Sequence, residues 1–427
     1  MNRGGQRNRI FKEEDDIRLK LWAMRLAVVV AVLFPAVASG AWGKLGAMGD
    51  SLTDEYWDDG VSSYATNWPS LVVNYRGIDM GPTAAQAGVG TWGSPRNQGY
   101  KYNWALGGAT SATLLTEGQP AGLAGQAGSE GMANAVLAIG SNDFNPDSAN
   151  AYLFIYGGYW SAEQIQTYVN QILANIETAL VTVKTAGVSV VVATVLDPGS
   201  TPAVASLLAD GASRDRVATV VQSVNSGLKD LAQKYQVPLL DWYGLEKAIL
   251  GPNTNLYTTL KVGNVSMNVR GRDPGPPNSA PTNGFVSDGF HPNTTIQGIF
   301  ANVVLQGFNS GYNAGVALFA EQEILSYALI PYGGSDTLES QIGPYTNYVI
   351  LPVPPRVTAF SVAGTNVALR FSSVSNQLYI VESRDDLGPR SWVTVTNNIP
   401  GSGGIVAITN QVSAAVTKRF YRVRQLP

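Results

Sequence analysis

Cysteine is absent from the 427 residues of this chain, and histidine occurs once, at position 291. Without cysteine the chain has no disulfides, no thiolate nucleophile and no zinc site of the usual cysteine and histidine type. An all-oxygen calcium site stays open, although the sequence contains no EF-hand loop. The lack of cysteine does not identify a compartment, because a secreted protein of this size needs no disulfides.

Charged residues are also scarce, at 14% of the chain, and the formal net charge is −3. Proteins that bind nucleic acid usually present a basic face, so this balance argues against a nucleic-acid partner. Hydrophobic residues make up 45% of the sequence, which is enough for a sizeable folded core. The length favours two or three domains.

Residues 1–41 have the pattern of a secretory signal peptide. Basic residues precede an apolar run at 26–34, and small residues follow it, as at a signal-peptidase site. The run is short for a transmembrane helix. Four consecutive acidic residues at 13–16 are unusual in such a signal, and a start at Met24 would give a more ordinary one. We therefore expect a secreted, periplasmic or cell-surface protein, with an uncleaved N-terminal anchor as the alternative.

Short apolar segments alternate with amphipathic ones between residues 44 and 325. The apolar segments predict buried parallel strands at 44–48, 135–139, 188–196 and 237–241, with a weaker candidate at 102–106. Apolar residues at helical spacing predict helices over 165–180, 217–231 and 294–325. This alternation predicts an α/β fold, in which a parallel sheet has helices on both faces and the ligand lies at the carboxyl ends of the strands.

The C-terminal part has a different pattern. Residues 251–287 and 331–356 are rich in glycine, proline and asparagine. We interpret 331–356 as a proline-rich linker that follows an α/β domain at 42–330. Beyond it, short alternating strands separated by turn residues predict a small all-β sandwich at 357–427.

Four blocks of sequence stand at the edges of predicted elements. They are MGDSLTD at 48–54, NWALGGAT at 103–110, IGSND at 139–143 and DGFHP at 288–292. In this order the chain resembles the GDSL, or SGNH, hydrolase family over about residues 44–325. The resemblance implies a flavodoxin-like three-layer α/β/α fold. A G-x-S-x-G motif is absent, so the nucleophile elbow of the α/β-hydrolases is not supported.

The resemblance implies a catalytic triad of Ser51, His291 and Asp288. Ser51 would be the nucleophile, and its hydroxyl is weak until a base accepts its proton. His291 is the only imidazole available for that task. Asp288 would orient the ring and stabilise the imidazolium. The alternative for Asp288 is a cap of the segment that follows.

The resemblance also implies an oxyanion hole formed by the N–H groups of Ser51 and Gly108 and the side chain of Asn142. Glycine at position 108 would let the backbone approach the substrate closely. Gly107 is an adjacent alternative, since a shift by one residue fits the block equally well. Asn142 has the alternative of a turn residue that satisfies local backbone groups.

These residues predict an exported serine esterase that hydrolyses carboxylic esters through an acyl-enzyme and without a cofactor or metal. The substrate would be a lipid, short-chain or acetylated-carbohydrate ester. Two alternatives are an inactive glycan- or surface-binding protein on the same fold, and an acyltransferase. The C-terminal sandwich would contact glycan, polysaccharide or the cell surface, or act as a passive spacer.

Overall fold

The structure, a computed structural model, describes residues 43–147, 150–375, 377–385, 392–413 and 419–426. The signal-peptide interpretation of residues 1–41 lies outside the described residues. Within these ranges, no helix is both long and apolar enough to cross a membrane.

The strands are numbered in chain order. They are β1 Lys44–Gly49, β2 Met132–Ala138, β3 Ser189–Ala193, β4 Leu239–Leu240, β5 Thr259–Val262, β6 Val265–Arg272, β7 Asn283–Phe285, β8 Val349–Ile350, β9 Val357–Ala363, β10 Asn366–Ser372, β11 Leu378–Arg384, β12 Val393–Pro400, β13 Ile405–Gln411 and β14 Phe420–Gln425.

The α-helices are numbered in the same way. They are α1 Tyr56–Asp59, α2 Trp68–Arg76, α3 Ser111–Thr116, α4 Gln119–Glu130, α5 Asn150–Tyr156, α6 Ala162–Thr185, α7 Pro202–Leu207, α8 Gly211–Tyr235, α9 Trp242–Leu250, α10 Thr294–Tyr312, α11 Glu321–Tyr327 and α12 Glu339–Ile342. Short 3₁₀ turns lie at Ser141–Phe144, Pro198–Ser200 and Tyr345–Tyr348.

The central sheet has five strands in the order β1-β2-β3-β4-β8. The first four are parallel, which confirms the four predicted strands, and β8 runs antiparallel at the edge. Alternate side chains along β3 belong to different cores: Val191 packs on one face and Val190 and Val192 on the other. Helices α2, α9 and α10 contribute to the first core, and α4, α6 and α8 to the second. The result is the expected three-layer α/β/α arrangement.

The weaker strand candidate at 102–106 forms only one isolated bridge, between Asn103 and Ala47. The segment nevertheless runs alongside β1. Trp104 N–H donates to Ala47 O over 2.8 Å, and Leu106 N–H donates to Gly49 O over 3.1 Å. This pairing brings the following glycines beside the carboxyl end of β1.

Two predicted helices match the structure, and the third is interrupted. Helix α6 begins with a capping box, in which Ser161 and Gln164 each bond the other's backbone N–H. The predicted helix at 294–325 is instead α10 and α11, separated by an irregular segment. Helix α10 ends where Asn313 adopts the left-handed conformation, with φ of 55°.

Residues 251–287, for which the sequence predicted no strands, contain the sheet β5-β6-β7. The predicted linker at 331–356 is also too long. Its side chains Leu338, Ile342, Tyr345 and Tyr348 are buried in the α/β core, and β8 extends the central sheet. The prolines near the end of the segment, at 352, 354 and 355, suggested a linker. The apolar residues before them were therefore not recognised as part of the core.

The predicted β-sandwich is confirmed. Two antiparallel sheets, β13-β10-β9 and β12-β11-β14, share a core around Leu369, Phe371, Tyr379 and Val381. The sandwich contacts α8 through Gln425, whose side-chain amide donates to Gln233 O over 2.6 Å.

Candidate active site

Ser51 follows β1 directly, in a tight turn built around Asp50. Thr53 N–H and Asp54 N–H both donate to Asp50 O, and Leu52 N–H donates to the Asp50 carboxylate over 3.1 Å. Gly49 must be glycine, because a Cβ there would lie 2.2 Å from Ala138 O. The turn therefore holds Ser51 at the carboxyl end of the sheet, where α/β folds place their ligands.

His291 connects Ser51 to Asp288. Its Nε2 lies 2.7 Å from Ser51 Oγ, and its Nδ1 lies 2.6 Å from Asp288 Oδ2. A carboxylate is only an acceptor, so this network assigns the Nδ1 proton to the Asp288 contact and leaves Nε2 to accept from the serine hydroxyl. The chain of contacts joins residues that are 240 positions apart in sequence.

Asp288 is held in its ionised form. Burial acts to raise the pKa of this carboxyl, but the hydrogen bond and charge of His291, together with the backbone N–H groups of Phe290 and His291, hold it below its usual range. Asp288 Oδ1 accepts those two N–H groups over 2.7 and 3.0 Å. The local turn that these bonds close also orients the imidazole.

Tyr56 and Gln297 support the histidine loop, a role that the sequence did not predict for either residue. Tyr56 meets the His291 ring edge-on at 5.9 Å, and its hydroxyl donates to Pro292 O over 3.0 Å. Gln297 Nε2 donates to the same Tyr56 hydroxyl over 2.6 Å. Both side chains are buried, and neither has a sequence pattern that would have identified it.

The N–H groups of Gly107 and Gly108 have different environments. Gly107 N–H donates to Asp54 Oδ2 over 3.0 Å. Gly108 has φ of 77°, and no atom lies within 4 Å of the position of a Cβ. In the part of the chain that the structure describes, neither Gly108 N–H nor Ser51 N–H has a hydrogen-bond acceptor. Gly108 and Ser51 therefore each retain a free backbone N–H donor.

Asn142 lies on the turn after β2. Its Nδ2 donates one hydrogen to Ala109 O over 3.0 Å, which fixes the amide against the segment that contains Gly108. A side-chain amide has two such hydrogens, so one is left for another acceptor. The bond to Ala109 O also fits the alternative role of Asn142 as a turn residue that satisfies a local backbone group.

The turn that carries Asn142 is anchored by a buried polar network. Asp143 accepts from the N–H and the hydroxyl of Ser111, each over 2.8 Å. Asn175 on α6 donates to the same hydroxyl over 3.1 Å, and Tyr168 donates to Asp143 O. Asp143 thus holds this turn in place through Ser111, and Asn175 completes the network.

Asp54, Glu55 and Asp58 bring one carboxylate oxygen each to within 4.8 Å of the others. They are the described residues with the geometry to hold a cation. Each carboxylate already accepts a backbone N–H, from Gly107, Tyr100 and Gln98 respectively. Burial and neighbouring carboxylates raise the pKa of Asp54 to about 9. Through these bonds the cluster holds the loops that contain Gly107, Tyr100 and Gln98 in place.

Comparison with known proteins identifies a matching family and several similar solved structures. A family model described as GDSL-like Lipase/Acylhydrolase matches residues 45–304. No curated protein sequence gives a significant match.

The solved structures that resemble the chain have low sequence identity. A putative acylhydrolase from Bacteroides fragilis NCTC 9343 is 16% identical with a TM-score of 0.35, over 64% of this chain and 88% of that one. An acetylxylan esterase from Geobacillus stearothermophilus is 16% identical with a TM-score of 0.37, over 66% and 97%. A GDSL-like lipase from Bacteroides thetaiotaomicron VPI-5482 is 14% identical with a TM-score of 0.36, over 63% and 88%.

These three structures do not identify the substrate of this protein, because their sequence identities and TM-scores are low. The family match, in contrast, begins at β1 and ends within α10, so it contains all five residues expected to form the site. It spans more than half of the chain, and the protein therefore belongs to the GDSL-like lipase/acylhydrolase family and is a serine hydrolase that acts on ester bonds.

Proposed function

We propose that the protein is an exported esterase that hydrolyses carboxylic esters through an acyl-enzyme on Ser51. The observation that carries this proposal is the continuous contact from Ser51 Oγ to His291 Nε2, over 2.7 Å, and from His291 Nδ1 to Asp288, over 2.6 Å. Both distances are within hydrogen-bond reach, which is the geometric requirement for a base and its nucleophile.

Acylation begins when Ser51 Oγ attacks the ester carbonyl carbon. The hydroxyl proton passes to His291 Nε2, and Asp288 stabilises the imidazolium that forms. His291 then returns the proton to the departing alcohol oxygen as the C–O bond breaks. Water attacks the acyl-serine in the second half, with His291 again as base, and Ser51 is regenerated as the acid leaves.

The oxyanion of each tetrahedral intermediate is stabilised by Ser51 N–H, Gly108 N–H and the free hydrogen of Asn142 Nδ2. This proposal is supported by the lack of any other acceptor for the two backbone groups among the described residues. Each such donor contributes most when charge develops on the oxygen, so its loss typically costs about 100- to 1,000-fold in kcat.

Export is proposed from the N-terminal pattern of basic, apolar and small residues at 1–41. Fractionation of cells that express the full chain, followed by N-terminal sequencing of the product, tests it. Cleavage near residue 41 and recovery outside the cytoplasm support export, and an intact cytoplasmic chain contradicts it.

Two other functions on the same fold are distinguished by assay. An inactive binding protein would leave p-nitrophenyl acetate unhydrolysed, whereas the proposed esterase turns it over and loses that turnover in Ser51→Ala. An acyltransferase would pass the acyl group to an added alcohol in preference to water, which product analysis detects. A folded Ser51→Ala protein that retains turnover would contradict the role of Ser51.

A further inference from the structure

A partly enclosed cavity lies beside the proposed site and is lined mainly by apolar side chains. Its lining includes the immediate sequence neighbours of the residues discussed above: Leu52 next to Ser51, Ser141 next to Asn142, and Phe290 and Pro292 on either side of His291. The cavity is therefore bordered by the three loops that carry the proposed catalytic groups.

The exposure of the lining side chains identifies a mouth and a floor. Leu52 and Phe290 are partly exposed and form the end nearest Ser51 and His291. Ile249 on α9 and Ile296 and Phe300 on α10 are only 1–5% exposed and form the deep end. The cavity thus extends from the loops that carry Ser51 and His291 towards the core between α9 and α10.

The lining contains two acidic residues, Glu246 and Asp197, and neither presents an uncompensated charge to an apolar ligand. Glu246 Oε2 accepts Asp197 N–H over 2.8 Å, and burial raises the pKa of Glu246 to about 8, so this carboxyl is protonated at neutral pH. Asp197 lies 2.6 Å from Lys247 Nζ, and that ion pair compensates its charge. The remaining contacts are predominantly with carbon atoms.

We propose that this cavity receives the acyl chain of the ester and limits it to about four carbons. The inference rests on the proposed acyl-enzyme on Ser51. The cavity has a volume of about 40 Å³. A cavity of roughly 10–15 Å³ holds one water molecule, which is close in size to a methylene group. This cavity therefore has room for about three methylene-sized groups beyond the carbonyl carbon. Acetate, propionate and butyrate esters fit, and longer chains require the wall to move.

A pair of isoleucines on α10 provides a matched test. Ile296 lines the cavity, whereas Ile299 is equally buried on the same helix but is not part of the lining. Ile296→Ala enlarges the cavity, and Ile299→Ala leaves a space elsewhere. Kcat/KM is measured for p-nitrophenyl esters with 2 to 10 carbons in the acyl group, and folding of each variant is checked by its Tm.

Wild-type kcat/KM should be highest at or below butyrate and fall by at least about tenfold at octanoate, since each excluded methylene is worth roughly tenfold or more. Ile296→Ala should raise the octanoate-to-butyrate ratio about tenfold, and Ile299→Ala should leave that ratio unchanged. Equal ratios in the two variants would overturn the proposal, as would a wild-type preference for octanoate.

Ile249→Phe tests the same cavity in the opposite direction and decides the question if Ile296→Ala does not fold. The larger ring fills the deep end, so butyrate turnover should fall about tenfold relative to acetate. An unchanged ratio in folded Ile249→Phe would overturn the acyl-site proposal while leaving Ser51 catalysis intact. Failure of the wild type on every ester would instead overturn the proposed function itself.

Discussion

Asp54 accepts the N–H of Gly107 through its Oδ2 over 3.0 Å, and this bond distinguishes two neighbouring glycines. With the amide of Gly107 occupied, Gly108 is the one whose N–H has no acceptor within the described residues. The motif alone left both glycines open as oxyanion donors. Gly108, the residue that the family resemblance implied, therefore stays the proposed oxyanion donor.

Asn142→Ala should lower kcat by about 100- to 1,000-fold with little change in KM, because the amide would meet an oxyanion that exists only after attack. Asn145→Ala is the control, since the Asn145 side chain bonds Asn142 Oδ1, over 3.4 Å, and Asp147 N–H, over 3.0 Å, but has no proposed role in the oxyanion hole. If Asn142→Ala is instead less stable and has near-normal kcat, Asn142 is a turn residue.

Asp288→Asn should keep the fold and reduce kcat by roughly 1,000- to 10,000-fold, as an amide cannot stabilise the imidazolium and favours the wrong tautomer. The Asn oxygen can still accept the N–H groups of Phe290 and His291, which hold the turn. Steady-state kinetics and Tm on one preparation test this. A merely structural cap would lower Tm and leave kcat unchanged.

Thermal stability should decline as pH rises from about 5 to 9. Burial raises the pKa of Asp54 to about 9, of Glu246 to about 8 and of Asp50 to about 7, from ordinary carboxyl values near 4. The folded state holds these protons more tightly than the unfolded state. Their stabilising contribution is therefore complete below about pH 4 and is lost as pH rises through the folded pKa values.

Asp54→Asn isolates one part of this effect. An asparagine side chain does not titrate between about pH 5 and 9, and its oxygen can still accept Gly107 N–H. The Tm of this variant should therefore fall less steeply over that range than the Tm of the wild type. Glu117→Gln, at the end of α3, serves as a control that should follow the wild type. Identical slopes for Asp54→Asn and the wild type would show that Asp54 does not hold a proton in the folded protein.

A chain that ends at Ile350 should fold and hydrolyse small soluble esters, because β8 and all five proposed site residues are retained. A chain that ends at Pro344 should be much less stable. It lacks β8 and the buried Tyr345 and Tyr348, and the loss of a buried aromatic side chain costs roughly 3–5 kcal/mol. Failure of the longer chain to fold would show that the sandwich shares a core with the α/β domain.

Chelation should not reduce turnover. None of the proposed chemical steps requires a cation, because the His291–Asp288 pair activates Ser51 and N–H groups stabilise the oxyanion. Prolonged dialysis against EDTA, followed by an assay with p-nitrophenyl acetate, tests this expectation. A loss of activity that added Ca²⁺ or Mg²⁺ restores would assign a functional cation to the protein.

Apolar runs predicted the parallel strands and the sandwich, and motif blocks identified Ser51, Asp288 and His291 as candidates, because each depends on a local pattern. Contacts between distant segments could not be predicted in this way. Tyr56 supports the histidine loop 236 residues later in the chain, and nothing in its neighbourhood indicates that role. Strand β8 was missed because two apolar residues beside prolines are too short a signal.

The most direct test of the proposed acyl-enzyme is labelling with a fluorophosphonate, followed by peptide mapping. We expect one adduct per chain, on Ser51, at a rate that falls sharply in Asp288→Asn, and complete loss of labelling in Ser51→Ala. An adduct on another residue, or ester turnover by a protein that takes no label, would contradict catalysis by Ser51.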